Sequence, residues 1–223
     1  IQVDRTGVLW VASQKGLNRY DPVRNRFEGF VHDAHNASSL GDNFLRSIAV
    51  DKNNNLWLAS YNGLEMLDAK REKFRHFRHD PNDPTSLSSN IIRRIKIDSQ
   101  GRMWVGTDDA GLNRIDHLPG HDEPLRVVRY IPDLANPKAL AHKNVTGIEE
   151  DGRGRIWLGT YGGGIHRLDD DLTGFTRFEI RQGKNQILAA EVQQNISRDA
   201  KGNIWFSSDH SGLIKYDLAS DQM

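Results

Sequence analysis

One six-residue interval, from an aspartate to a tryptophan, recurs five times along this chain. Asp4–Trp10, Asp51–Trp57, Asp98–Trp104, Asp151–Trp157 and Asp199–Trp205 account for every tryptophan in its 223 residues. Successive tryptophans lie 47, 47, 53 and 48 residues apart. Self-similarity at such a period means one supersecondary unit repeated side by side, each unit covering its faces with its neighbours.

Each unit reads as four strands. A short β-branched run leads in, as in Ile48-Ala49-Val50-Asp51 and Ile95-Lys96-Ile97-Asp98. A tight turn follows, with Gly7, Asn54, Gly101, Gly154 and Gly202 at the matched place, residues that tolerate the positive φ of hairpin turns. The repeated aspartate is expected to accept hydrogen bonds from turn amides. The tryptophan strand comes next, with a small residue two places on: Ala12, Ala59, Gly106, Gly159, Ser207. Positions i and i+2 share a sheet face, so each indole stands beside a gap for a neighbour's side chain, and the tryptophans are predicted to be core. A third strand starts at Gly16, Gly63, Gly111, Gly164 and Gly212, and a fourth carries paired aromatics such as Phe74 and Phe77. The period and the strand count predict an all-β fold: a β-propeller segment of about five blades of four antiparallel strands. The blades are expected at 1–30, 45–77, 92–130, 145–178 and 193–223, the last without its outer strand.

From the last aromatic to the next leading isoleucine is 18 residues every time, which predicts a constant path between blades. Leu40, Leu87, Leu140 and Leu188 hold one fixed place in it and are expected to pin it to the core. Blade three alone carries a five-residue insertion, His117-Leu118-Pro119-Gly120-His121. Because open strand edges invite aggregation, the chain is expected to be part of a larger ring.

Composition excludes more than it selects. Thirty basic and thirty acidic residues cancel, so no global field points to nucleic acid. Absence of cysteine removes disulfides and thiolate metal sites. No apolar stretch reaches the roughly 18 residues of a membrane span, so no direct membrane contact is expected here.

The sentence Ile-x-x-Asp-x-x-Gly-x-x-Trp, then a hydrophobic, a small residue and Ser/Thr, then Gly-Leu and Asp, resembles the two-component regulator propeller repeat. Residues Ile95 to Thr107, Gly111 to Asp116 and the lead-in Thr85 to Asn90 carry the likeness most fully. The resemblance implies the extracytoplasmic, periplasmic sensor region of a bacterial hybrid histidine kinase or diguanylate cyclase. It implies seven-bladed rings, further blades and downstream signalling domains in the same protein, and a full receptor able to form a homodimer. It also implies a glycan or other small polar ligand, and no cofactor.

Variation between repeats marks where that ligand is expected. Four residues past each tryptophan the chain reads Gln14, Tyr61, Asp108, Tyr161 and Asp209, whereas the surrounding scaffold is constant. Tyr61 and Tyr161 offer stacking faces; Asp108, Asp109, Asp209 and His210 offer hydroxyl partners. Arg46, Arg93 and Arg94, on inner strands, are placed to meet a carboxylate or sulfate. The nine histidines form no metal-ligand pair by spacing and are read as lone exposed side chains. No catalytic residues are predicted. Two alternatives stand beside this reading. One is a propeller enzyme similar to streptogramin lyase, drawing on His166, His210, Glu149 and Glu150. The other is a structural protein-binding propeller.

Overall fold

The computed structural model describes residues 1–120, 123–178, 181–182, 186–187, 193–208 and 212–223. Every regular element among them is a strand, and no helix is long and apolar enough to cross a membrane. Blade one comprises β1 (Gln2–Val3), β2 (Leu9–Ser13), β3 (Gly16–Asp21) and β4 (Arg26–Phe30). Blade two comprises β5 (Leu45–Val50), β6 (Leu56–Ser60), β7 (Gly63–Leu67) and β8 (Phe74–Phe77). Blade three comprises β9 (Ile92–Ile97), β10 (Met103–Thr107), β11 (Leu112–Ile115) and β12 (Val128–Tyr130). Blade four comprises β13 (Val145–Glu150), β14 (Ile156–Thr160), β15 (Gly164–Leu168) and β16 (Phe175–Phe178). After the short pair β17 (Arg181–Gln182) and β18 (Gln186–Ile187) comes blade five: β19 (Gln193–Arg198), β20 (Ile204–Ser208) and β21 (Gly212–Tyr216). In each blade, consecutive strands are neighbours, which is the up-and-down order of a propeller blade.

The aspartate–tryptophan interval has a physical cause that exceeds turn capping. In all five repeats the indole Nε1–H donates to the aspartate Oδ2, at 2.9 to 3.0 Å. The other oxygen takes the turn: Asp98 Oδ1 accepts from the Gln100 and Arg102 amides at 3.0 and 2.9 Å. One side chain therefore closes the hairpin and satisfies a buried indole, with hydrogen bonds to a charged acceptor worth about 1.5–3 kcal/mol each. Gly7, Asn54, Gly101, Gly154 and Gly202 all adopt positive φ at the turn, between 66° and 87°.

The remaining lone pair of Oδ2 is filled differently from blade to blade. Arg102 and Arg155 donate Nε to Asp98 and Asp151 at 2.7 and 2.8 Å, and Asn55 and Asn203 donate Nδ2 to Asp51 and Asp199 at 2.8 and 2.9 Å. Blade one has Val8 there, and Arg71 from the β7–β8 turn supplies the bond to Asp4 instead, at 2.9 Å. Burial alone would raise Asp4, but the bonds from Thr6, Trp10 and Arg71 outweigh it and hold the carboxyl well below its ordinary range. The Trp205 indole and Asn203 likewise hold Asp199 at about 2.

The chain divides into two compact units, residues 1–105 with 114–128, and residues 106–113 with 129–223. In unit one, Trp10 and Leu17 pack with Leu56, Leu58, Leu67 and Phe74 of the next blade. Trp57, Leu64 and Phe77 pack in the same way with Ile92, Met103, Ile115 and Val127. Unit two repeats the seam, with Trp157 and Ile165 against Ile196, Ile204, Phe206 and Tyr216. The gap beside the indole is filled as expected: a Cβ added at Gly106 would stand 2.8 Å from Val145 Cγ1. Trp205 departs from the pattern, being half-buried where the other four are fully buried.

Leu40, Leu87 and Leu140 are fully buried and pin the blade connections; Leu188 lies outside the described residues. The fourth connection contains the β17–β18 pair, to which the other three have no counterpart.

Candidate functional site

The turn between the second and third strands is built to hold still. Ser13, Ser60, Thr107 and Thr160, three places after the tryptophan, donate their hydroxyls to the carbonyls of Gly16, Gly63, Gly111 and Gly164 at 2.9 to 3.1 Å. Three of them also accept an amide of the turn, from Lys15, Asn62 and Ala110. The glycine amide then reaches the blade connection: Gly16 to Asn43 O at 2.8 Å, Gly63 to Asn90 O at 2.7 Å, Gly111 to Lys143 O at 2.8 Å. At Gly63, φ is +103° and a Cβ would sit 2.4 Å from Phe77 O, so no other residue fits. With the turn clamped on both sides, the residue at the fourth place is presented outward on fixed backbone.

In unit one that residue is Tyr61, 38% exposed. Phe44 stacks on it, ring centroids 4.5 Å apart and planes 10° from parallel. The Arg46 guanidinium is 4.7 Å from the Tyr61 centroid and 5.9 Å from that of Phe44. These three distances form a triangle, so Arg46 flanks the stacked pair and does not cover the Tyr61 face turned away from Phe44. The backbone explains how Arg46 gets there. Leu45 pairs with Ser60 and Ser47 with Ala59, which leaves Arg46 as the extra residue of a β-bulge, a device that re-aims a side chain at a strand end. Arg94 Nη1 donates to Arg46 O at 3.4 Å. Gln14 is exposed and Arg93 half-buried. Of the predicted residues in this unit, Tyr61, Arg46 and Arg94 are brought together.

In unit two Tyr161 occupies the same place and is 50% exposed. Its amide donates to Asn144 O at 3.1 Å, and its ring centroid is 6.3 Å from that of His142. Asp108 is half-buried and Asp109 exposed in the turn after β10. Asp209 and His210 lie outside the described residues. Phe44 and His142 are the participants that sequence reasoning missed. An unexplained aromatic at Phe44, where the matching residues are Ile91 and Asn144, was the available signal.

The histidines need correcting. His32 and His79 hydrogen-bond through Nδ1 to the carbonyls of Leu40 and Leu87, at 2.7 and 2.6 Å, and so brace their connections. His76 pairs through Nδ1 with buried Glu65 and through Nε2 with Ala37 O at 3.0 Å. His166 is not exposed at all: it is fully buried in β15, where Nε2 accepts the Ala141 amide at 3.1 Å. Burial first, and the nearby Arg177 charge second, push its pKa down to about 4. A neutral, enclosed imidazole cannot exchange protons with a substrate in solvent. Glu150 is buried and Glu149 half-buried, on opposite faces of β13. Among the described residues, no three His, Asp or Glu side chains are grouped to hold a metal ion.

Three of the five repeats, at residues 39–62, 86–109 and 139–162, match the family model described as the two component regulator propeller. Each matched stretch runs from the end of a blade connection, through the aspartate turn and the tryptophan, to the outward residue and its neighbour. Those three stretches are similar to the two component regulator propeller repeat. Solved structures similar to these repeats include the extracellular domain of BT3049 from B. thetaiotaomicron, a protein assigned to the hybrid two component systems. It is 23% identical, with a TM-score of 0.59, over 99% of this chain and 33% of that one. PorZ of Porphyromonas gingivalis, a surface component of the type-IX secretion system, is 18% identical with a TM-score of 0.69, over 94% and 31%. Virginiamycin B lyase from Staphylococcus aureus, solved with quinupristin, is 15% identical with a TM-score of 0.63, over 97% and 68%. The chain thus spans about a third of the length of the first two relatives, and identities this low establish a shared fold alone. No curated protein matches the sequence.

Proposed function

We propose that these propeller repeats form a non-catalytic, ligand-reading part of the extracytoplasmic sensor region of a bacterial signal-transduction receptor. In this reading the region lies in the periplasm and recognises a glycan or another small polar ligand. The observation that carries the proposal is the Phe44–Tyr61–Arg46 group: an aromatic face backed by a second ring, flanked by a guanidinium and set on a clamped turn. Such a face stacks on a sugar ring while the cation meets an acidic or hydroxyl substituent. Tyr161 with His142, Asp108 and Asp109 offers a comparable set in unit two. The likeness to an extracellular domain of a hybrid two component system supports the cellular setting.

Blade five supports the presence of further blades. Leu17, Leu64, Leu112 and Ile165, one residue after the third-strand glycine, are all buried, whereas Leu213 at the same place is 64% exposed. A neighbouring blade in the full receptor covers that face in this reading.

The test is an oligosaccharide array probed with the labelled chain, followed by calorimetry on each hit. Tyr61→Ala, Asp108→Asn and Tyr161→Ala combined should abolish binding. Binding that survives the triple variant rules the rim out. The enzyme reading has one supporting observation, the fold shared with virginiamycin B lyase. Turnover of quinupristin by this chain, lost on replacing a histidine, would establish it in place of the sensor; burial of His166 speaks against it.

A further inference from the structure

The opposite end of unit one's blades has a cleft of its own. It occupies about 480 Å³ between the β5–β6 turn and the β9–β10 turn. Its third wall is Asp116 with the start of the blade-three insertion, His117-Leu118, and Arg5 closes one end. The described part of the insertion, residues 117–120, is held in position. Leu118 packs against the blade-two and blade-three core, and Arg75 of β8 donates to the carbonyls of Gly120 and, at 2.9 Å, Glu123. Blade two has only the short Asp68–Lys73 turn at the matching place, so the wall belongs to blade three.

We propose that this cleft binds a small organic carboxylate with an apolar body. Val50, Ile97 and Leu118 form a half-buried aliphatic floor that suits the body. The charge balance selects the head. Asp116 is neutralised by Arg114, which reaches its two oxygens at 2.8 and 3.2 Å. Asp98 is paired with Arg102, at 2.7 Å. The Asp51 carboxylate is fully engaged by donors from Asn53, Asn55 and Trp57, and Arg5 donates Nε to the Asp51 backbone carbonyl at 2.9 Å. That leaves Lys52 exposed on the lip, with no ion pair among the described residues. The Gln100 side-chain carboxamide and the His117 ring are exposed on the same lip, where each can donate to a carboxylate. The site is separate from the rim around Tyr61, since the two lie at opposite ends of the same blade-two strands.

The experiment is a titration of the isotope-labelled 223-residue chain with benzoate, followed by NMR, with benzamide as the neutral isostere. Saturable shifts are expected at the Lys52, Ser99 and Gln100 amides and the Leu118 methyls, with benzamide roughly tenfold weaker. Lys52→Gln, an exposed change that leaves the floor intact, should weaken benzoate by roughly threefold to tenfold. Leu118→Ala should weaken both probes. Absence of shifts at these residues overturns the site, and equal binding of benzamide overturns the assignment of a carboxylate ligand.

Discussion

Two places after the third-strand glycine, blade two has Glu65 and blade four has His166, and both are fully buried. The two blades solve the same problem by opposite means. Blade two keeps a buried carboxylate and brings cations to it: His76 across the strand pair, and Arg78 at 2.8 Å. Blade four keeps an imidazole neutral, while Arg177 across the pair turns away to the carbonyls of Asn136 and Ala139, at 2.9 and 2.8 Å. The preceding connection is tailored to each choice. Gly41 leaves room for the ion cluster, since a Cβ there would lie 2.5 Å from Arg78 Nη2 and 2.6 Å from Glu65 Oε1. Ala141 at the matching place instead donates its amide to His166. The same buried position thus holds a carboxylate in one blade and a neutral imidazole in another, with the facing strand and the preceding connection changed to suit.

The largest effect is expected when Glu65 is left without its cations. His76→Phe with Arg78→Met strands a buried carboxylate and should cost about 3–5 kcal/mol in urea unfolding. A loss below about 1 kcal/mol would mean the cluster is not what stabilises Glu65. The two sites should also respond to pH with opposite signs. His166 has a folded pKa of about 4 against an ordinary 6.5, so the unfolded chain binds the extra proton first. Stability should therefore fall by up to about 3 kcal/mol from pH 6.5 to 4, and His166→Gln should flatten that part of the profile. Burial raises Glu65 above its ordinary 4.5, despite Arg78 and His76. Its contribution is thus present at low pH and lost as pH rises from 4.5 through the folded value, and Glu65→Gln should remove that slope.

Smaller changes sharpen the contrast. Arg177→Met removes hydrogen bonds to the carbonyls of Asp133, Asn136 and Ala139 and a repelling charge, so it should cost about 1–2 kcal/mol while letting the His166 titration, followed by NMR, move upward. Gly41→Ala should cost about 1 kcal/mol by crowding the ion cluster, and Glu65→Leu should relieve most of that penalty in a double-mutant cycle.

The sequence displayed the strand order, the turn residues and the tryptophan seam because each depends on local geometry repeated five times. Asp98, Gly101 and Trp104 can be read within one hairpin. What stayed hidden depends on register or on partners far along the chain. The bulge that swings Arg46 beside Tyr61 leaves no mark in the Leu45–Val50 run. Arg71 serves Asp4 from 67 residues away, and only the valine at position 8 hints that a donor is missing. His166 looked like an ordinary strand histidine, since nothing adjacent tells that its neighbours enclose it. The connections show the same lesson on a smaller scale. His32 and His79 donate their amides to the side chains of Asn43 and Asn90, each at 2.7 Å. In the third connection the matching pair is Pro132 and Lys143, so the missing donor and the missing acceptor changed together.

The indole–carboxylate bond has a consequence for how the molecule can be watched. Every blade contains one tryptophan, and each indole hydrogen-bonds the aspartate that closes its own hairpin. Loss of a hairpin and loss of its indole's environment are therefore one event, and single-tryptophan variants would report on one blade at a time. Trp205, the half-buried member, should emit furthest to the red in the native state, and its emission should shift blue when a partner covers blade five.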